Sequence, residues 1–317
     1  MKFLRYKKLN LDMESIKVCP ICGESHFESI SRSDKFDHGI ENVICMNCSF
    51  VFMNPAPTPE SLDDFYKHRY YEFYFSPEPS NKMLSVTKSP ERAEYHFQYL
   101  KDKINLNDVS SFVDVGGGDG SFIKTLHDQV SNGEEFILVE PSESYRKFAV
   151  KNNSCTFDCS DISKVSKSSN LRLISMIHSL EHVSKPLEFL SQISDLMNEG
   201  DYLFIDVPDV FKYWHVSEVH VAHTSHFNTE TLSLLLNKSG FDVVDVGSHS
   251  PIRHPKSVRG IFRKTNETIS ETSIDLEHNI HKSKISFDKL NKTAEEWHSI
   301  RNMLKLKILS ILNIGQY

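Results

Sequence analysis

The stretch that decides the fold is Phe112-Val-Asp-Val-Gly-Gly-Gly-Asp-Gly-Ser-Phe122. Phe112 to Val115 is an apolar run of the length of a short buried strand. It breaks into four glycines within five residues, Gly116, Gly117, Gly118 and Gly120. Apolar residues then return at Phe122, Ile123 and Leu126, which is helical spacing. Strand, glycine turn and helix in that order open a nucleotide-binding α/β unit. Only a backbone without Cβ turns so tightly and lets a ligand touch its N–H groups. The pattern is GxGxG with Asp114 before it, whereas the dinucleotide fingerprint is GxGxxG.

Downstream, strands and helices alternate. Phe136-Ile-Leu-Val-Glu140-Pro141-Ser reads as a second strand ending in an acid, some 20 residues past the glycines. A carboxylate there can accept the ribose hydroxyls of a bound nucleoside. A helix is expected over Ser142 to Lys151 and a third strand near Cys155 to Phe157. Asp161 follows that strand, placed to reach an adenine amino group. Leu171 to Ile177 is a fourth strand running into His178, and Tyr202 to Val207 a fifth, with a helix over Leu187 to Met197 between them. A helix through Lys238 and strands at Phe241 to Val246 and Val258 to Arg263 complete the series. Such alternation predicts an α/β, Rossmann-like, doubly wound and mostly parallel sheet, with ligands at the carboxyl ends of the strands. Asp114, the glycines, Glu140, Asp161 and His178 all fall at such ends.

Ahead of this core lie Cys19-Pro-Ile-Cys22 and Cys45-Met-Asn-Cys48, two knuckles separated by 22 residues. This spacing predicts a zinc ribbon held by four cysteines, a closed and therefore structural site. Cys155 and Cys159 read as ordinary thiols. A proline-punctuated linker, Asn54-Pro-Ala-Pro-Thr-Pro-Glu, leads to a helix starting at Ser61 and to the aromatic cluster Tyr70, Tyr71, Phe73, Tyr74 and Phe75. That cluster is either a lid over a ligand or inter-domain packing. Pro90 to Lys101 reads as a helix. The expected division is a zinc module over 1–57, a helical and aromatic bridge over 58–110, the cofactor-binding core over 111–265, and a helical tail over 266–317.

With a net charge of -7 and a pI near 6.1, the 317-residue chain lacks the broad basic surface of a nucleic-acid binder. No apolar run approaches the ~18 residues of a membrane span. The N-terminus lacks the apolar region and cleavage site of a secretory signal. A cytoplasmic protein acting on a small molecule is expected.

Taken together, Val113-Asp-Val-Gly-Gly-Gly-Asp-Gly120, Val139-Glu140-Pro141-Ser, Ser160-Asp161-Ile and His178-Ser-Leu-Glu-His-Val-Ser-Lys-Pro-Leu-Glu-Phe-Leu190 resemble the class I S-adenosylmethionine-dependent methyltransferases. The segments 226–232 and 239–244 resemble that family's last helix and sixth strand. The resemblance spans roughly residues 92–265. With the four-cysteine module and the bridge, the layout is similar to zinc-containing methyltransferases of sugar biosynthesis, including the deoxysugar C-methyltransferases. It implies an S-adenosylmethionine cofactor held by Asp114, Gly116, Gly118, Gly120, Glu140, Pro141, Asp161 and His178, a structural zinc on Cys19, Cys22, Cys45 and Cys48, and a nucleotide-linked or other sugar as acceptor. The chain differs from the C-methyltransferases in having Ala222-His223 where they have Glu-His, Arg172 where strand four usually opens on an acid, and only about 50 residues after the core.

Methyl transfer needs the acceptor in line with the donor and a group to take its proton, for which histidine is suited. The loop Trp214-His215-Val-Ser-Glu-Val-His220-Val-Ala-His223-Thr-Ser-His226 supplies His223 as first candidate base and His226 as second, with His178 and His182 near the cofactor's methyl end. Each single histidine could equally be structural. His220, His223 and His226 could instead share a helical face as metal ligands. A non-catalytic scaffold and a nicotinamide-dependent oxidoreductase are the rival classes. An intact glycine turn opposes the first and the GxGxG spacing the second. Ser273 to Leu312 reads as one or two helices, with core packing, a lid or a homodimer contact as their roles.

Overall fold

The fold is given by a computed structural model. It describes residues 11–36, 38–71, 78–152, 155–252, 256–267, 269 and 272–311, with only the backbone described over 301–311. Phe73, Tyr74 and Phe75 of the aromatic cluster lie outside the described residues.

Thirteen strands are present among these residues: β1 Met13–Glu14, β2 Phe27–Ser31, β3 Asn42–Cys45, β4 Val51–Met53, β5 Ala56–Pro57, β6 Ser111–Val115, β7 Glu135–Val139, β8 Phe157–Cys159, β9 Arg172–Ile177, β10 Tyr202–Pro208, β11 Ser225–His226, β12 Phe241–His249 and β13 Ser257–Lys264. Seven of them form one sheet in the order β12-β13-β10-β9-β6-β7-β8. The strands from β10 to β8 run parallel, and β13 lies antiparallel between β10 and β12. This is the mixed α/β, Rossmann-like sheet expected of a class I methyltransferase. β6 is buried along its whole length because helices cover both faces of the sheet, which is why it reads as a continuous apolar run.

The third strand falls at Phe157–Cys159 and not at Cys155 to Phe157. It is set by pairing with Ile137–Val139 of β7, a non-local choice. The helix of the bridge starts at Pro59, two residues before the expected Ser61, because the Thr58 hydroxyl accepts from the Ser61 N–H at 3.3 Å and caps it. A helix over Asn81–Thr87 is an addition to the sequence reading.

The four-cysteine segment forms a second sheet, β11-β4-β3-β2. Its fourth strand comes from the histidine loop, 172 residues further along the chain: Ser225 pairs with Phe52 and His226 with Val51. Phe50 packs against Phe227 with ring centroids 5.3 Å apart. Cys19, Ile21, Cys45, Cys48, Phe50 and Phe52 belong to the same apolar cluster as Val113, Ile174, Ile205 and Leu235 of the large sheet and its helices. The tail is a single helix, Leu276–Ile311. It packs back on the chain through Phe287, Leu290 and Ala294, and the Trp297 indole N–H donates to the Lys35 carbonyl at 3.1 Å. That face of the tail therefore serves the fold. No helix among the described residues is long and apolar enough to cross a membrane.

Candidate active site

The glycine turn has the shape a nucleoside ligand needs. Gly116, Gly118 and Gly120 have φ of 72°, 55° and 76°, a region that side chains disfavour. A Cβ on Gly117 would come within 2.5 Å of Asp114 Oδ2, and one on Gly116 within 2.7 Å of Ser179 Cβ. The turn is thus packed closely against Asp114 and Ser179, while at Gly118 the nearest side-chain atom is the Tyr71 hydroxyl, 3.4 Å from where a Cβ would stand. Glu140, at the end of β7, is buried beside it. One carboxylate oxygen accepts from the Gly118 N–H at 3.0 Å and from the Tyr71 hydroxyl at 3.1 Å; the other accepts from the Ser142 N–H at 2.8 Å. Tyr71, from the bridge, stacks on Tyr145 at a centroid distance of 3.5 Å.

Asp114 is held by the Ser175 hydroxyl at 2.7 Å. Burial pushes the carboxyls of both Asp114 and Glu140 up to about 7. Hydrogen-bond donors oppose this rise in each case. Pro141 contributes its carbonyl to the Arg146 guanidinium at 2.8 Å. Asp161 stands at the expected end of β8, but exposed, with one oxygen accepting from the Ser163 N–H at 2.8 Å as the cap of a short turn. That hydrogen bond lowers its pKa.

His178 ends β9 in a left-handed conformation, φ 51°. Its neighbour Ser179 donates to the Val115 carbonyl at 3.0 Å, so the loop after β9 is seated directly against the glycine turn. His178 Nδ1 lies 3.3 Å from Glu181 Oε1 and Nε2 lies 4.0 Å from Asp206 Oδ2. Burial alone would lower its pKa; Glu181 and Asp206 outweigh that and raise it. Asp206, at the end of β10, also meets His96 at 3.0 Å and His249 at 3.1 Å. Burial alone would raise this carboxyl, but those hydrogen bonds hold it well below the usual range. His96, Asp206 and His249 escaped the sequence reading because they lie on three separate elements with no shared motif.

The remaining histidines separate into two kinds. His226 is 1 % exposed and its ring is used on both sides: Nε2 donates to Asn42 Oδ1 at 3.0 Å and Nδ1 accepts from the Tyr213 hydroxyl at 2.9 Å. Burial pushes it down to about 3. With no ring nitrogen to spare, His226 is not a base but a tie between the loop and the four-cysteine sheet. The alternative in which His220, His223 and His226 share a helical face is not met: residues 221–222 form a turn and Ser225–His226 a strand.

His223 and His182, by contrast, face each other at a centroid distance of 5.0 Å. The His223 Nδ1–H donates to the Glu218 carbonyl at 3.0 Å, and the His182 Nδ1–H donates to the Ala222 carbonyl at 2.7 Å. Burial lowers the pKa of both, for His223 with His220 and His182 adding to it. Tyr66 and Tyr70 of the bridge each stand 5.5 Å from the His182 ring. The aromatic bridge thus packs against His182, while Tyr71 reaches Glu140 beside the glycine turn.

The four cysteines also converge. Cys19 and Cys48 sulfurs are 3.6 Å apart, and Cys22 and Cys45 sulfurs 3.5 Å. All four lie within 4.8 Å of one another, close to the ~3.8 Å edge of a tetrahedron with ~2.3 Å zinc–sulfur bonds. Arg172, which replaces the usual acid at the start of β9, is a buried structural cation. Its backbone N–H donates to Asp201 at 2.9 Å and its guanidinium to Ser111 at 2.9 Å.

Residues 91–246, just under half of the chain, match the family model described as a methyltransferase domain. These residues are a class I S-adenosylmethionine-dependent methyltransferase domain. Among solved structures, it is similar to the magnesium protoporphyrin IX methyltransferase of Synechocystis (14 % identity, TM-score 0.46, covering 64 % of this chain and 95 % of that one). It is also similar to the mitomycin 7-O-methyltransferase (16 %, 0.47, covering 63 % and 60 %) and to a methyltransferase of Thermotoga maritima (18 %, 0.46, covering 64 % and 100 %). At these TM-scores none of the likenesses bears on the acceptor of this methyltransferase. The sequence has no significant match among curated proteins.

Proposed function

We propose that this methyltransferase acts on a hydroxyl group of a small, sugar-like acceptor, nucleotide-linked or free. The observation that carries this reading is a juxtaposition. A glycine turn with a buried carboxylate beside it lies near a cluster of histidines packed against tyrosines. The four-cysteine module and the bridge, shared in layout with sugar methyltransferases, support the sugar class. We assign Gly116, Gly118, Gly120, Glu140 and Asp114 to the cofactor, with Pro141 and Asp161 at its edge. The cofactor supplies an electrophilic methyl on a sulfonium. Cys19, Cys22, Cys45 and Cys48 would hold a structural zinc that keeps β3 and β4 in register beneath the histidine loop.

The proton acceptor is assigned to His178 ahead of His223. His178 stands against the glycine turn through Ser179, and Glu181 and Asp206 flank its ring, so its imidazolium would be stabilised as it forms. Tyr66 and Tyr70 exclude water and offer ring faces to a sugar.

The test is calorimetry with S-adenosylmethionine, followed by mass spectrometry of nucleotide sugars and free sugars incubated with enzyme. The cofactor should bind and one acceptor should gain a methyl. Absence of cofactor binding at high micromolar concentration sinks the reading. His178→Gln should lower kcat by about 100- to 10,000-fold with cofactor affinity unchanged; full turnover would remove His178 from the role.

A further inference from the structure

We propose that Glu181, His182 and His223 form a second metal site, one that takes a divalent transition-metal cation beside the glycine turn. The three residues come from two loops, one after β9 and one before β11, and their ligand atoms lie within 4.8 Å of one another. Bonds of about 2.1 Å to one ion require these atoms to draw closer together on binding.

Three further observations carry the assignment. First, both imidazoles are pre-set as ligands. The Nδ1–H of His182 is spent on the Ala222 carbonyl and that of His223 on the Glu218 carbonyl, so each Nε2 carries its lone pair. Metal-ligating histidines are oriented in this way by a hydrogen bond on the other nitrogen. Second, Glu181 is 1 % exposed and, among the described residues, its Oε2 has no hydrogen-bond partner. A buried carboxylate oxygen without a donor is costly unless a cation or proton meets it. Third, Glu181 Oε1 lies 3.9 Å from His182 Nε2, on the side of the histidine pair.

Two imidazoles and one carboxylate make a set with open coordination positions, unlike the closed four-cysteine site. Imidazole donors favour zinc, copper, iron or nickel over calcium, magnesium or manganese. Tyr66 and Tyr70 each stand 5.5 Å from the His182 ring, so the cluster lies beside the residues assigned to the acceptor. A vicinal diol or a hydroxyl next to a carbonyl fits there: both oxygens can bind one cation, which lowers the proton affinity of the bound hydroxyl. This role rests on the acceptor reading above, whereas the cation site stands on the geometry alone.

The experiment is metal stoichiometry on the full chain. Protein purified with zinc is loaded with Co2+, desalted and analysed for elemental content. Wild type should hold two equivalents of metal. Glu181→Gln and His223→Ala should hold one, with circular dichroism and the four-cysteine metal retained. If Glu181→Gln fails to fold, His182→Gln and His223→Gln carry the same comparison. A wild-type total of one equivalent, or variants that keep two, would overturn the proposal. Calorimetry with S-adenosylmethionine is run in parallel. Loss of the second metal with normal cofactor binding tests the metal site. A wild type that binds two metals but no cofactor would leave the metal site standing and remove the acceptor role.

Discussion

The two halves of the active site are built on different terms. On the cofactor side, Asp114, the glycines and Glu140 lie within 27 residues of chain, and every oxygen of Glu140 already has a donor. On the acceptor side, Tyr66, Glu181, His182 and His223 are brought together from three distant segments, and Glu181 Oε2 is left without a hydrogen-bond partner. A local turn can pre-form a binding surface because its geometry is set by its own dihedral angles. A pocket between loops exists only while the elements beneath it hold their positions. Here those elements include β4, whose pairing with β11 hangs the histidine loop on the four-cysteine sheet.

The sharpest way to break this comparison is to remove one of the four clustered cysteines. Cys45→Ser, with Cys45 fully buried beside three other sulfurs, should abolish turnover. Structural zinc in small modules contributes about 10 kcal/mol or more to folding. Residual S-adenosylmethionine binding, read by calorimetry, should survive, because the glycine turn rests on the large sheet. Loss of both together would show that the halves are not separable.

Glu140→Gln should do the reverse. It replaces charge-assisted hydrogen bonds, so the dissociation constant for S-adenosylmethionine should rise about 10- to 100-fold, with kcat at saturation little changed. A fall in kcat without a change in affinity would contradict the division of labour.

The pH dependence gives a smaller effect of definite sign. Without ligand, the Asp114 and Glu140 carboxyls titrate at about 7, raised by burial. Asp119 and Glu140 add to the rise at Asp114, and Arg146 opposes it at Glu140. Ribose hydroxyls donate to the ionised form, so the complex favours the carboxylate and binding below pH 7 releases protons. Affinity should therefore increase from pH 6 towards pH 8 and then level off, by at most about tenfold per carboxylate per pH unit. Calorimetry in buffers of different ionisation enthalpy reads the proton release directly. Glu140→Gln should remove its share of the slope. The same raised values mean that folding stability falls as pH rises from the ordinary carboxylate range towards 7.

Tyr71→Phe should produce the smallest change. It removes the hydroxyl that stands on Glu140 and leaves the stack on Tyr145. Affinity for the cofactor should tighten by up to about tenfold, the worth of one hydrogen bond to a charged group. A loss of affinity would mean that Tyr71 assists the cofactor.

What the sequence determined by itself was what depends on neighbours along the chain. Glycines at 116, 118 and 120 dictate a turn with positive φ, apolar runs dictate buried parallel strands, and two CxxC knuckles dictate clustered thiolates. From these the parallel sheet, the glycine turn and the buried carboxylates beside it could be read directly. Tertiary structure alone decided which histidine nitrogens are taken up by partners. His223 and His226 are three residues apart in one loop, yet Asn42 and Tyr213 consume both nitrogens of His226, while His223 turns towards Glu181 and His182. The difference is set by β11 joining β4 across 172 residues of chain, a pairing that local pattern does not encode. A hydrogen-bonding side chain acquires its role from the partners that packing brings to it. For the acceptor half those partners lie on other elements.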